Sequence, residues 1–321
     1  GGAAGQYAVA DAMALSATDN PVDFVMNVGD GMYYYGVESL DDCKFNDTFT
    51  SVYDYPSLQV PWYGVLGNHE WKMNATVLVT NYLNWRIPAL GYTMSGSVGG
   101  IPITFFFVDT NAAEYEEICS ARSESKWGPL TAAETTLCQQ EILAVFPEMI
   151  QWLTTQLLIA NGHIKIVVGH EPVYASGRWA FNRPSSEGVL AQAFQSLFDT
   201  YGVDAYIGGH DHVMEHLVFS NTNFFIVGNS GVGGADWEDQ PIFRASPAES
   251  KQVVSKAFGF ARASVDASEF CIDFYSVDPG SDLVNGDYPT RYYGARSTYI
   301  TPTGPATTHT YNVCFAHSQG V

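Results

Sequence analysis

The chain has 321 residues, 46% hydrophobic and only 15% charged, a balance that fits a well-packed globular protein and excludes disorder. Thirty-four acidic against fourteen basic residues give a formal charge of −20, which excludes nucleic acid and anionic membrane surfaces as general partners. No run of about 18 consecutive apolar residues is present, so no membrane insertion is expected.

In chain order, the sequence opens at Gly1 with neither Met nor leader, and an upstream part is expected before it. Residues 6–17 are Ala-rich and amphipathic and predict a helix. Residues 23–27 form a short apolar run that ends in Gly29-Asp30-Gly31-Met32-Tyr33. Phe45, Phe49 and Val52 recur at helical spacing, and the run 61–66 leads into Gly67-Asn68-His69-Glu70. A third strand is expected over 103–108. A helix is expected over 146–160, with Ile150, Leu153, Leu157 and Leu158 on one side. The run 164–168 leads into Gly169-His170-Glu171, and residues 187–201 predict a helix carrying Leu190, Phe194, Leu197 and Phe198. The run 205–207 leads into Gly208-Gly209-His210-Asp211-His212, and 224–227 is a further strand. Strand, polar loop, helix, strand is the order of an α/β protein with buried strands. Runs 258–265 and 270–277 alternate as an antiparallel pair. The pattern divides the chain into a domain over 1–277 and a tail over 278–321, rich in Pro, Gly, Thr and Tyr. The tail either packs as irregular β structure or reaches a partner in an extracellular assembly.

Five cysteines (Cys43, Cys119, Cys138, Cys271 and Cys314) show no CxxC spacing, which argues against a thiolate metal site. Cys119 with Cys138, and Cys271 with Cys314, are candidate disulfide pairs whose connectivity the sequence leaves open. Two sequons begin at Asn46 and Asn74 and offer glycosylation sites. With the cysteines they favour a secreted, extracellular or luminal setting.

Four of the strand-end clusters carry chemistry. Alone, Asp30 reads as a turn former, Gly-Asn-His as a tight turn, and His170 as a hydrogen-bonded rim residue. His210 and His212 differ, because residues two apart in an extended segment point to one side. Together, Asp30, Tyr33, Asn68, His170, His210 and His212 make an N/O ligand set for two metal ions rather than a thiolate zinc site. Tyr33 adds a phenol, whose anion is a hard ligand suited to Fe(III).

The order GDxxY, GNHE, GHEP and GHDH resembles the metallophosphoesterases, and among them the small purple acid phosphatases of the tartrate-resistant type. The resemblance runs from about Gly1 to Val277. It implies a four-layer α/β/β/α sandwich of two mixed sheets. It implies Fe(III) held by Asp30, Tyr33 and His212, and a second iron, zinc or manganese ion held by Asp30, Asn68, His170 and His210. The Tyr33-to-iron charge-transfer band would give the purple colour. His69 would act beside the pair on the phosphate or its leaving group, and the substrate would be a phosphate ester. Two departures stand out. The family's first motif, Asp-x-Gly at the end of a first strand, is absent; upstream residues, another chain or a true loss would each account for it. The histidine that the family carries after the third motif gives way to Gly177-Arg178-Trp179, where Arg178 is a candidate phosphate contact. The resemblance leaves three functions: a phosphomonoesterase, a diesterase or nucleotidase, and a degenerate phosphatase fold serving an extracellular assembly.

Overall fold

Strands covered on both faces need apolar residues at nearly every position, and the central runs of this chain supply them. The computed structural model describes residues 4–123, 130–176, 184–231, 248–254, 257–266, 269–278 and 306–316. In chain order, α1 (Ala4–Asp19) leads to β1 (Val25–Asn27) and the short α2 (Cys43–Phe45), which continues as a wider π turn over Asn46–Thr50. Then come β2 (Trp62–Gly64), α3 (Asn68–Trp71), β3 (Asn81–Tyr82), β4 (Trp85–Arg86), β5 (Tyr92–Val98) and β6 (Ile101–Phe107). A 3-10 turn at Asn111–Glu114 precedes α4 (Tyr115–Ser123), α5 (Ala132–Ile159), β7 (Ile164–Val168) and α6 (Pro184–Tyr201). The rest is β: β8 (Ala205–Gly208), β9 (Met214–Phe219), β10 (Thr222–Val227), β11 (Glu249–Val254), β12 (Phe258–Val265), β13 (Glu269–Asp278) and β14 (Ala306–Ala316).

Among the described residues these strands form three sheets, in the orders β1-β2-β4-β3, β11-β9-β10-β8-β7-β6-β5 and β12-β13-β14. The centre of the seven-stranded sheet, β10-β8-β7-β6, is parallel, and β5, β9 and β11 run antiparallel to their neighbours. Its period-two alternation divides the core. Phe105, Phe107, Ile166, Val168, Ile207 and Phe225 pack toward residues of the two smaller sheets, such as Trp62 and Phe274. Phe106, Val167, Tyr206, Phe224 and Ile226 pack toward α5 and α6, against Leu153, Leu157, Phe194 and Phe198. On the outside of the smaller sheets, Val9 and Ala12 of α1 cover Phe260 and Val277. Helix, sheet, sheet, helix is thus the order of layers, as the resemblance implied. Among the described residues the layer under α1 consists of two separate sheets, because β1 and β12 are not paired with each other. Both strands line one largely apolar cavity of about 780 Å³.

Several local expectations shift. α5 begins at Ala132, well before 146, behind a capping box in which Thr131 and Glu134 each accept from the other's backbone N–H. Pro147 inside α5 interrupts the hydrogen-bond ladder and hid the earlier turns from a periodicity reading. At 28 residues α5 is long and apolar enough to cross a membrane by length and composition alone, but Ile142, Leu153 and Leu157 are buried in the protein core. Cys119–Cys138 ties α4 to α5, and Cys271–Cys314 links directly opposed residues of β13 and β14, so both candidate pairs are disulfides. Cys43 is free and exposed. Within the tail, β14 adds a third strand and packs Tyr311, Val313 and Phe315 on the core.

Glu215 on β9 is a buried carboxylate that no sequence pattern singled out. It accepts from Ser176 N at 3.0 Å and from the Ser176 hydroxyl, and Ser250 Oγ lies 3.4 Å away. Burial pushes its carboxyl up to about 7 despite those donors. A carboxyl raised in the folded state contributes stability that is complete below its unfolded value near 4.5 and disappears as pH rises through about 7. Glu215→Gln should therefore flatten the pH dependence: between pH 4.5 and 8 the wild type should lose about 3 kcal/mol relative to the variant. Urea unfolding at the two pH values measures this, and parallel profiles would contradict it.

Candidate metal centre

Parallel strands present their loops at one end, and here the carboxyl ends of β1, β2, β6, β7 and β8 meet across the two sheet layers. The loop after β1 turns sharply. Asp30 has φ +57° and Gly29 φ +93°, and after β8 His210 has φ +61°. Left-handed backbone at a non-glycine residue is a cost the surrounding structure must offset, and it falls on two of the predicted ligands. Glycine is required beside them. A Cβ at Gly29 would strike the His170 ring, and one at Gly67 would strike the Asp30 carboxylate.

Glu70 pins the two loops together. Its carboxylate accepts from Asp30 N at 2.9 Å, Met32 N at 2.7 Å and Gly67 N at 2.7 Å, and the side chain is buried. On the other sheet, Thr110 Oγ1 accepts from the backbone N–H of His170 at 3.1 Å and of Glu171 at 2.8 Å. Asp109, bonded to Trp71 Nε1, and Asn111, bonded to Leu66 O, join that loop to the one after β2.

All six predicted ligands come together. Tyr33 Oη lies 3.0 Å from both Asp30 Oδ2 and His212 Nε2. His170 Nε2 lies 3.3 Å from Asn68 Oδ1 and 3.5 Å from Asp30 Oδ1. The ligand atoms of Asp30, His170 and His210 fall within 4.8 Å of one another. His170 donates its other nitrogen, Nδ1–H, to Val28 O at 2.7 Å, the arrangement that fixes a metal-binding tautomer. Asn68 Nδ2 donates to Glu114 Oε2 at 3.1 Å, which leaves its Oδ1 toward His170.

His69 stands at the edge of the group. Its Nδ1 is 2.7 Å from Tyr34 O, its ring packs 4.2 Å from that of Tyr33, and Lys72 Nζ is 3.4 Å from Nε2. Asn46 and Asn74 are both exposed. Arg178 and Trp179 lie outside the described residues.

The protonation pattern follows from burial around the Asp30 carboxylate. Burial alone would raise the Asp30 carboxyl, but His170 and His69 beside it hold it well below the usual range. Burial lowers His212 and His69 to about 4 each, whereas Asp30 outweighs burial at His170 and lifts it to about 9. Burial and the Asp30 charge keep the Tyr33 phenol protonated, so a phenolate there needs a strong cation. One carboxylate, three imidazoles, an amide oxygen and a phenol, buried or half-buried and clustered around Asp30 and His170, fit hard to borderline metal ions.

Sequence reasoning did not assign Glu70, Asp109, Thr110, Asn111 or Glu114. The run Asp109-Thr110-Asn111 sits at a strand end like the four recognised clusters, and that position was its signal.

Two facing sheets with N/O ligands on their strand-end loops define the metallophosphoesterase class. Residues 3–214 match the family described as Calcineurin-like phosphoesterase, and the chain belongs to that family. It is 29% identical over 259 residues to purple acid phosphatase 3 of Arabidopsis thaliana, covering 80% of this chain and 66% of that one. It is 26% identical over 216 residues to human (Homo sapiens) tartrate-resistant acid phosphatase type 5, covering 65% and 61%. The chain thus spans just under two thirds of the length of these relatives. Among solved structures, GAP50, described as the anchor in the inner membrane complex of Plasmodium, superposes with a TM-score of 0.65 at 23% identity. That match covers 85% of this chain and 80% of that one, and it supports the fold.

Glu70→Gln tests the clamp. The amide offers one acceptor oxygen and sets an NH₂ group against one of three backbone donors, so the variant should lose about 2 kcal/mol of unfolding free energy. A shift in urea midpoint at unchanged slope measures it, and a loss under about 0.5 kcal/mol would show that Glu70 does not hold these loops.

Proposed function

We propose that the protein is a secreted or luminal acid-phosphatase-type hydrolase of phosphomonoesters with a dinuclear metal centre. The observation that carries this reading is the convergence of Asp30, Tyr33, Asn68, His170, His210 and His212 from four loops on one point. In this reading Asp30, Tyr33 and His212 would hold Fe(III), and Asp30, Asn68, His170 and His210 would hold iron, zinc or manganese. When bound, the two ions supply positive charge at the ester oxygens and a water of lowered pKa.

The chain's own residues do the rest. Asp30 sets the shared point of the two sets. Val28 and Glu114 fix the orientations of His170 and Asn68. With Nδ1–H of His69 donated to Tyr34 O, Nε2 faces Lys72 Nζ at 3.4 Å and must take up a proton before it can donate to a phosphate oxygen or the leaving group. Lys72, paired with Glu117 at 3.7 Å, places a cation beside it. In a chain of charge −20, anionic substrate is drawn only by such local positive charge. The disulfides and the exposed Asn46 and Asn74 support an oxidising, glycosylating compartment. Tyr33 favours the monoesterase over a diesterase or nucleotidase.

A second reading, a degenerate fold within an extracellular assembly, has one observation in its favour. The unjoined strands β1 and β12 line the 780 Å³ cavity, which also reaches Asp30, Tyr33 and His212. An extended segment could add between them by strand pairing, whether from upstream in this chain or from another protein. Only the first source would serve catalysis with a further carboxylate.

The full-length protein, reconstituted with iron and zinc, should hydrolyse p-nitrophenyl phosphate in preference to the bis-ester, and Asp30→Asn should lower kcat/KM by ~10²–10³-fold. No turnover by the metal-loaded wild type would favour the second reading.

A further inference from the structure

The six residues do not exhaust the ligand atoms at this point of the molecule. Glu114 closes the 3-10 turn after β6, Glu171 follows His170 after β7, and His210 follows β8, so three adjacent central strands each deliver one group. One oxygen of each glutamate and one nitrogen of His210 lie within 4.8 Å of one another. His210 Nε2 is 3.2 Å from Glu114 Oε1, and its Nδ1 is 3.4 Å from Glu171 Oε1. Glu114 and Glu171 are 3% and 2% exposed.

Glu171 Oε1 is the telling atom. It is buried and accepts no hydrogen bond, and the groups beside it are two imidazoles, His210 Nδ1 and His170 Nε2, the latter at 3.9 Å. Buried carboxylates are normally matched by donors or cations. Here Asp30, Glu114, Glu171 and Asp211 crowd one region, and the charges of the first, second and fourth act on the third.

We infer that Glu114, Glu171 and His210 hold a further divalent cation of the Mn(II) type, adjoining the pair proposed above. Two carboxylates make the set hard, and the imidazole shifts its preference from magnesium toward manganese. His210 belongs to both groups of ligand atoms, with Asp30 and His170 on one hand and the two glutamates on the other. It is the link between the sites. The inference rests on the metal-centre reading for its setting, but Glu114 and Glu171 are not among the six residues of that reading.

The test uses full-length protein depleted of metal and titrated with Mn(II), with unbound manganese counted by electron paramagnetic resonance. The wild type should bind one more equivalent than Glu171→Gln, or bind that equivalent at least tenfold more tightly. Glu114→Gln should behave alike. Crystals of the wild type soaked in Mn(II) should show an anomalous peak among Glu114, Glu171 and His210, a readout that needs no variant to fold. No peak there, or equal stoichiometry with affinities within twofold, would overturn the inference. Loss of an equivalent in Glu171→Gln but none in Asp30→Asn would uphold this site while refuting the dinuclear one.

Discussion

The buried carboxylate of Asp30 is the point on which the rest of the structure depends. It accepts from the Tyr33 hydroxyl at 3.0 Å and from His69 N at 3.0 Å, and it faces His170 across 3.5 Å. A charged group so placed cannot be left to itself in a low-dielectric interior. Its position explains much of the local sequence. Gly29 and Gly67 leave room for it, Glu70 holds the backbone of its loop, and a left-handed turn aims it inward. Without a metal, His170 takes up a proton to balance it.

The fold makes this convergence affordable. Five loops share the load, so no single one must contort through more than a turn. The apolar alternation of β6, β7, β8 and β10 fixes both faces of the central sheet, and a slip of one residue would send Phe106 and Tyr206 to the wrong layer. Register in the sheet therefore sets position in the site. His170 and His210 stand where they do because Val168 pairs with Ile207.

Much of this was legible in the sequence, and for physical reasons. Buried parallel strands are continuous apolar runs, and β7 kept its expected bounds of 164–168, while β12, expected from its alternation as one of an antiparallel pair, kept 258–265. The six ligand-type residues were recognisable because rare polar groups recurred at strand ends, a pattern independent turns do not produce. Less legible was whatever depends on three-dimensional partners. Glu70 had no role of its own within the Gly67–Glu70 cluster, yet it serves three backbone donors from two loops. Glu114 lies in a turn with no motif, and only the approach of Asn68 and His210 gives it meaning. The capping box at Thr131 was written in the sequence, but Pro147 masked the helix it begins. The separation of β1 from β12 is a fact of long-range pairing that periodicity does not carry.

The central claim is that this constellation is a metal centre with Tyr33 as a ligand. Metal content and the visible spectrum of the native full-length protein test it most directly. The account predicts two or more metal ions per chain, iron among them, and a purple tyrosinate-to-iron band that Tyr33→Phe abolishes. A colourless protein with one metal ion or none, unchanged by that substitution, would contradict it.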